Sequence, residues 1–366
     1  MKITKLETFS TPNVAFTRLT TEDGAEGWGQ LSTYHADITA QVFHRQVAPY
    51  ALGRAIGEFE DLLGKIPEHE HKYPGSYLYR ALGGLDTAVW DWRGKQASKP
   101  VTSLIGGSPG RLATYASSMK RDITPADEAT RFLRLRDQFG FSAFKFRVAA
   151  ETGRDVDEWP GRTEEIVPTI RRALGDSATL LVDANSGFSP ARAIAVGHML
   201  QDNGVVHFEE PCPYWEMEQT KQVTDALALD VTGGEQDWDM QHWKRMIAMR
   251  AVNVIQPDIM YMGGLTRTLQ VGAMGAAAGL PCTPHCANLS AVTLFTMHLL
   301  RAIPNAGPYL EFSIEGADYY PWQQGLFVQD PYTITDGQAE VTDAPGWGFE
   351  VSPDWLAKSA YQASTL

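Results

Sequence analysis

Thr179-Leu-Leu-Val-Asp183, Val205-Val-His-Phe-Glu209 and Val231-Thr-Gly-Gly-Glu235 share one design, a short apolar run followed at once or after a turn by an acid. The design continues in Val252-Asn-Val-Ile-Gln-Pro-Asp258, Leu280-Pro-Cys-Thr-Pro-His285 and Pro308-Tyr-Leu-Glu311. Steps between the six polar residues are 26, 26, 23, 27 and 26 positions, the length of one strand with its returning helix. A single acid after a strand is ordinarily a helix N-cap. Six in phase predict side chains converging on one rim of a parallel barrel.

Two further runs, Ala113–Ser117 and Ala143–Phe146, join Thr179–Val182, Val205–Phe208, Asp230–Thr232, Val252–Ile255, Leu280–Thr283 and Pro308–Leu310 to give eight strand candidates. The helices between them have readable ends. Ser189-Pro190 supplies an N-cap and a proline at the first helical position, and Asn203-Gly204 closes that helix. Ile166, Ile170 and Leu174 form one apolar face before Gly175, and Leu265 and Leu269 begin another that runs to Gly279.

Upstream, Val14–Thr20 and Glu26–Leu31 flank Glu22-Asp23-Gly24, a β-hairpin signal. Helical patterning follows from Asp37 to Leu63 and from Leu78 to Gly94. Beyond Tyr320 a strand-rich tail, Tyr332–Val341 and Gly346–Val351, is expected to return to the N-terminal region. The fold class is therefore α/β, a parallel (β/α) barrel of eight strand candidates with an accessory α+β region. Residues 1–111 form an α+β cap, 112–319 the barrel, and 320–366 a segment completing the cap.

A chain of 366 residues exceeds the usual size of a single core, which suits a large barrel with an accessory domain. Its net charge of −13 argues against nucleic acid or an anionic membrane as partner. An anionic substrate stays possible, since a bound divalent metal reverses the local field. Three cysteines give no disulfide framework. In Cys282-Thr-Pro-His285-Cys286, three ligands crowded into five residues cannot readily share one metal. The N-terminus lacks a signal-peptide core and no apolar run approaches the roughly 20 residues that span a bilayer, so a cytoplasmic location is expected.

Three carboxylates from successive strands, Asp183, Glu209 and Glu235, make a hard-oxygen site suited to one Mg²⁺. Of Glu209-Glu210 only one side chain faces inward, and Glu209 is assigned to the metal. Such a site suits removal of a proton α to a carboxylate, which places a second negative charge on that carboxylate and needs metal and fixed donors to stabilise it. Lys145 and Arg147 are two apart on one strand and supply positive charge on one face. Asp258 orients His285 and raises its basicity, making a general base. Glu311 is expected to hydrogen-bond the far oxygen of the enediolate.

At these residues the chain resembles the mandelate racemase branch of the enolase superfamily, over nearly its whole length. The block from Ala81-Leu-Gly-Gly-Leu-Asp86 through Trp90-Asp91 to Gly106-Gly107 is similar to that family's cap signature, where its role is to join cap and barrel. Val182-Asp183-Ala-Asn185, Phe208-Glu209-Glu210-Pro211 and Gly233-Gly234-Glu235 resemble its metal-ligand segments. Ile255-Gln-Pro-Asp258 and Thr283-Pro-His285 resemble its His–Asp dyad. The tail Pro345-Gly-Trp-Gly-Phe-Glu350 completes the likeness. The resemblance implies a (β/α)7β-type modified TIM barrel with an α+β capping domain, and a homo-oligomer, a dimer or an octamer.

One departure is informative. Many members carry Lys-x-Lys where this chain has Lys145-Phe146-Arg147, and arginine is a poor base. That leaves the His285–Asp258 dyad as sole base and favours dehydration of an aldonate or aldarate to a 2-keto-3-deoxy acid. Racemisation or epimerisation of a 2-hydroxy acid and lactone cycloisomerisation are the alternatives within the family. A non-catalytic barrel, the alternative from outside it, would have a degraded metal site. Substrate contacts are expected from Asn185, from Tyr34 and His35 in the cap loops, and from Lys120 and Arg121 after the first barrel strand, the last two facing a distal carboxylate.

Overall fold

The computed structural model describes residues 1–366. Strands β1 (Ile3–Ser10), β2 (Ala15–Thr21) and β3 (Glu26–Leu31) form an antiparallel meander. The long helix Ser76–Ala97 lies on it. That approach is close because glycines face each other: a Cβ on Gly29 would stand 2.5 Å from the Gly84 carbonyl oxygen. The expected Asp37–Leu63 helix is broken into short pieces, Ala36–Val42, Phe43–Val47 and Ala48–Ala51, before Phe59–His69 resumes. Pro49, Gly53 and Gly57 lie along the interrupted stretch, and proline and glycine are its natural breakers. Ile3, Leu19, Phe43, Leu62 and Leu85 belong to a core separate from that of the barrel.

The barrel sheet contains β4 (Gly110–Ser117), β5 (Ala143–Arg147), β6 (Thr179–Asp183), β7 (Val205–Glu209), β8 (Asp230–Gly233), β9 (Val254–Ile255) and β10 (Leu310–Ser313). They lie in the order β10-β4-β5-β6-β7-β8-β9, all neighbours parallel. The expected seventh strand, Leu280–Thr283, is not a regular strand. Pro281 and Pro284 bracket it and cannot donate to a ladder. Cys282 alone bridges β9 at Ile255 on one side and Ala306 on the other, through Thr283 N to Ile255 O at 2.9 Å and Gly307 N to Cys282 O at 2.8 Å. The eighth candidate is displaced, since pairing begins at Leu310 rather than Pro308. Ser189 does cap the helix Pro190–Asp202, its side chain accepting from Arg192 N.

The tail corrects the sequence reading. Within Tyr332–Val341 only β11 (Gln338–Val341) is a strand, and it pairs with barrel strand β4, not with the cap. Gly346–Val351 supplies only single bridges to Pro100 and Phe327. The strand that reaches the cap is β12 (Ala360–Thr365), antiparallel to β1 from Lys5–Thr365 to Ser10–Ala360. Its alternating exposed and half-buried residues, on an edge, leave no strong hydrophobic signal. Asp91 fastens the parts together. One oxygen accepts from Trp28 N of β3 at 2.8 Å, and the other from Trp347 N of the tail at 3.1 Å.

Candidate active site

Asp183, Glu209 and Glu235 lie at the C-terminal ends of β6, β7 and β8, buried, with one oxygen of each within 4.8 Å of the others. The chain after Asp183 and after Glu209 is unusual. Asn185 and Ser186 have φ of 40° and 65°, and Glu210 has φ of 40°, left-handed values that side chains larger than glycine rarely adopt. The two loops are interlocked by Ser186 N donating to Glu210 O at 2.7 Å. Strain held this way collects at functional sites. Glu210 is buried as well, and its side chain borders a small cavity with Asp237 and Gly233 outside the barrel mouth.

Lys145 Nζ stands 3.0 Å from Glu209, 3.6 Å from Asp183 and 2.6 Å from Glu311. Arg147 Nη1 pairs with Asp183 Oδ2 and donates to Asn185 Oδ1 at 2.9 Å. Burial opposes the charge on Glu209, but Lys145 beside it and a bond from His207 hold its carboxyl well below the usual range. Burial likewise opposes charge on Glu311, and Lys145 and His285 hold it down at about 2. Glu235 moves the other way: burial raises it, and His285 only partly opposes.

These residues fit a divalent cation. Asp183, Glu209, Glu235 and Glu311 bring four carboxylates against two cations, Lys145 and Arg147, inside a buried site. Oε2 of Glu235 receives no hydrogen bond. The missing positive charge and the all-oxygen donor set match Mg²⁺.

His285 Nδ1 lies 2.8 Å from Asp258 Oδ2, and its Nε2 lies 3.3 Å from Glu235 Oε2. Asp258 is fixed in turn, because Oδ1 caps the helix Ile259–Met262 by accepting from Met260 N at 2.7 Å and Tyr261 N at 3.1 Å. Burial lowers the basicity of His285, but Glu235, Asp258 and Glu311 outweigh it and lift its pKa to about 9. A cation held on Glu235 would offset the largest of those upward contributions.

Glu311 is held by three contacts within the chain. Oε1 accepts from Ser117 Oγ at 2.8 Å, Oε2 accepts from Cys286 N at 2.9 Å, and Lys145 adds a third contact.

The open pocket above these groups has a volume of about 500 Å³ and is lined by Tyr34, Arg121 and Asn185 together with Arg147, Glu235 and His285. Lys120 and His35 lie outside it. Lys120 pairs with Asp318 at 2.7 Å in a neighbouring cleft, and His35 is exposed at the start of the helix Ala36–Val42. Tyr261, Tyr319 and Tyr320, which line the pocket, escaped the sequence reading. So did His207, 3.2 Å from Glu209. The signal for His207 was present, because residues two apart on a strand share a face.

The enolase C-terminal domain-like family model matches residues 127–355, and the model of the mandelate racemase/muconate lactonizing enzyme N-terminal domain matches residues 2–106. Among curated proteins, the chain is 24% identical to arabinonate dehydratase of Saccharolobus solfataricus, over 92% of this chain and 88% of that one. It is 25% identical to D-galactonate dehydratase of Xanthomonas euvesicatoria, over 98% and 94%. Among solved structures, a conjectured racemase from Roseobacter denitrificans is 68% identical with a TM-score of 0.99 and full coverage of both chains. A mandelate racemase/muconate lactonizing protein from Paracoccus denitrificans, complexed with magnesium, is 30% identical with a TM-score of 0.90, over 100% of this chain and 98% of that one. The chain belongs to the enolase superfamily, in its mandelate racemase branch.

Proposed function

We propose that this protein is a Mg²⁺-dependent acid-sugar dehydratase, converting an aldonate or aldarate to its 2-keto-3-deoxy acid. The observation that carries the reading is the inequality of the two sides of the pocket. One side holds an oriented imidazole with Nε2 directed at the metal-ligand group. The other holds Arg147, permanently protonated and paired with Asp183. One base and no free partner suit an elimination in which the same group removes a proton and returns it. The two curated dehydratases named above support this direction.

Asp183, Glu209 and Glu235 would hold the cation, which supplies positive charge against the substrate carboxylate as the α-carbon loses its proton. His285 Nε2 takes that proton, while Asp258 keeps Nδ1 protonated and steadies the imidazolium. The C2–H pair then forms the C2–C3 double bond as the C3–O bond breaks. His285 gives its proton to the departing hydroxyl, so water leaves and the enol tautomerises to the ketone. Lys145, anchored by Glu311, stays protonated and offsets charge building on the carboxylate. Arg147 holds Asp183 and Asn185 in place.

The likeness to the Roseobacter protein gives a second reading, epimerisation of a 2-hydroxy acid, with Lys145 as the second proton carrier. The two separate in one experiment. The Mg²⁺-loaded enzyme is incubated with an acid-sugar library in D₂O and assayed for α-keto acid. Keto acid formed by the wild type and lost in His285→Asn, with metal retained, is the expected result. Inversion at C2 with deuterium incorporated and no keto acid overturns dehydration in favour of epimerisation.

A further inference from the structure

We infer that the substrate carries a second carboxylate at the far end of its chain, and that Arg121 receives it. This deepens the acid-sugar reading and rests on it. The structure separates two cations that are adjacent in sequence: Lys120 is paired with Asp318, whereas Arg121 turns into the pocket above the metal-ligand residues.

The five buried carboxylates at the rim, Asp183, Glu209, Glu235, Asp258 and Glu311, are taken up by Lys145, Arg147 and His285. Arg121 is left over. It forms no ion pair with any acid of the chain, and its one hydrogen bond runs from Nη2 to the neutral Asn185 Oδ1 at 2.6 Å. Its Nε is buried and bonded to nothing. Leaving a buried donor of a charged group unmade costs more than losing an ordinary exposed bond. A guanidinium in that state is suited to a planar carboxylate, which takes two parallel N–H donors.

The position is also informative. Asn185 Oδ1 accepts from both Arg121 and Arg147, and Arg147 pairs with the ligand Asp183. Arg121 is thus linked to the metal site by a short chain of fixed contacts, and a substrate reaching from one to the other is held at both ends. Glu151 lines the same pocket from an exposed position and makes no salt bridge to Arg121. It would disfavour a second anion placed toward the solvent rim, leaving the buried Nε edge as the favoured place. A neutral hydroxymethyl end, as in an aldonate, would leave that edge unpaired on binding.

The test compares matched ligands on the full-length Mg²⁺-loaded enzyme. Calorimetric affinity and kcat/KM are measured for five- and six-carbon aldarates, the aldonates of the same configuration, and 6-phosphoaldonates. At least one aldarate is expected to bind 30-fold or more tighter than its aldonate. Arg121→Met should remove most of that ratio, acting mainly through KM, and Arg121→Lys should restore part of it. A thermal melt of each variant, with and without Mg²⁺, establishes that it is folded and metal-competent. Equal affinity for aldarate and aldonate, or a ratio unmoved by Arg121→Met in a folded variant, overturns the inference. Tightest binding of a 6-phosphoaldonate overturns the carboxylate assignment. Aldarate preference without keto-acid formation would sink the dehydratase reading alone, and dehydration confined to aldonates would sink this one alone.

Discussion

Asp258 divides its two oxygens between His285 Nδ1, at 2.8 Å, and the N-terminus of the helix Ile259–Met262. The carboxylate that orients the imidazole is therefore itself fixed by backbone donors. Asp258→Asn keeps the shape but can present an N–H where an acceptor is needed. A fall in kcat of about 10²–10⁴-fold is expected, with Mg²⁺ affinity little changed. Retention of a tenth or more of wild-type kcat would remove Asp258 from the proton-transfer scheme.

The buried triad repels itself when no cation is present. Mg²⁺ should therefore raise Tm in a concentration-dependent way, stabilising the fold by about 2.7 kcal/mol at a hundred times the dissociation constant. Glu235→Gln and Asp183→Asn should abolish that rise. Differential scanning fluorimetry with Mg²⁺ and with chelator reads the effect directly, without substrate.

His285 offers a pH signature. Glu235 is the largest of the contributions that lift its pKa to about 9, so Mg²⁺ binding should move it downward. As a base it works only when neutral, and kcat/KM should rise with pH through the metal-loaded value and level off above it. NMR titration of the labelled imidazole, with and without Mg²⁺, would show the displacement. An unchanged pKa would mean that the cation does not sit on Glu235.

His298 gives the fold its own acid sensitivity. It is buried, accepts from Thr102 N through Nδ1 at 3.1 Å, and faces Trp347 O through Nε2. Burial lowers its pKa to about 4, against an ordinary value of 6.5. The unfolded chain therefore takes up this proton first. The contribution of neutral His298 is intact above pH 6.5 and is lost as pH falls toward 4, costing on the order of 2–3 kcal/mol. Urea unfolding at pH 7 and pH 4.5 should show a smaller loss in His298→Gln than in the wild type.

The barrel rim was legible because its chemistry repeats at the period of the fold: from Asp183 to Glu311 the functional side chains lie in or just after successive strand positions, 23 to 27 residues apart. Legibility failed where structure rests on single bridges or on contacts far apart in sequence. Cys282 between two prolines carries the seventh position without a periodic signal, and β12 lacks a buried face. Lys120 and Arg121 show a further limit. Their sequence neighbourhood is the same, and only Asp318, nearly two hundred residues away, separates the paired cation from the free one.

The pairing of β1 with β12 joins residues about 350 positions apart, as the Ser10–Ala360 contact shows. During synthesis the first strand must wait for that partner with one row of amide groups unsatisfied, an invitation to foreign strands. Expression yield should therefore depend on how the nascent chain shields this edge, and a peptide carrying the β12 sequence, supplied in trans during refolding, should compete for it.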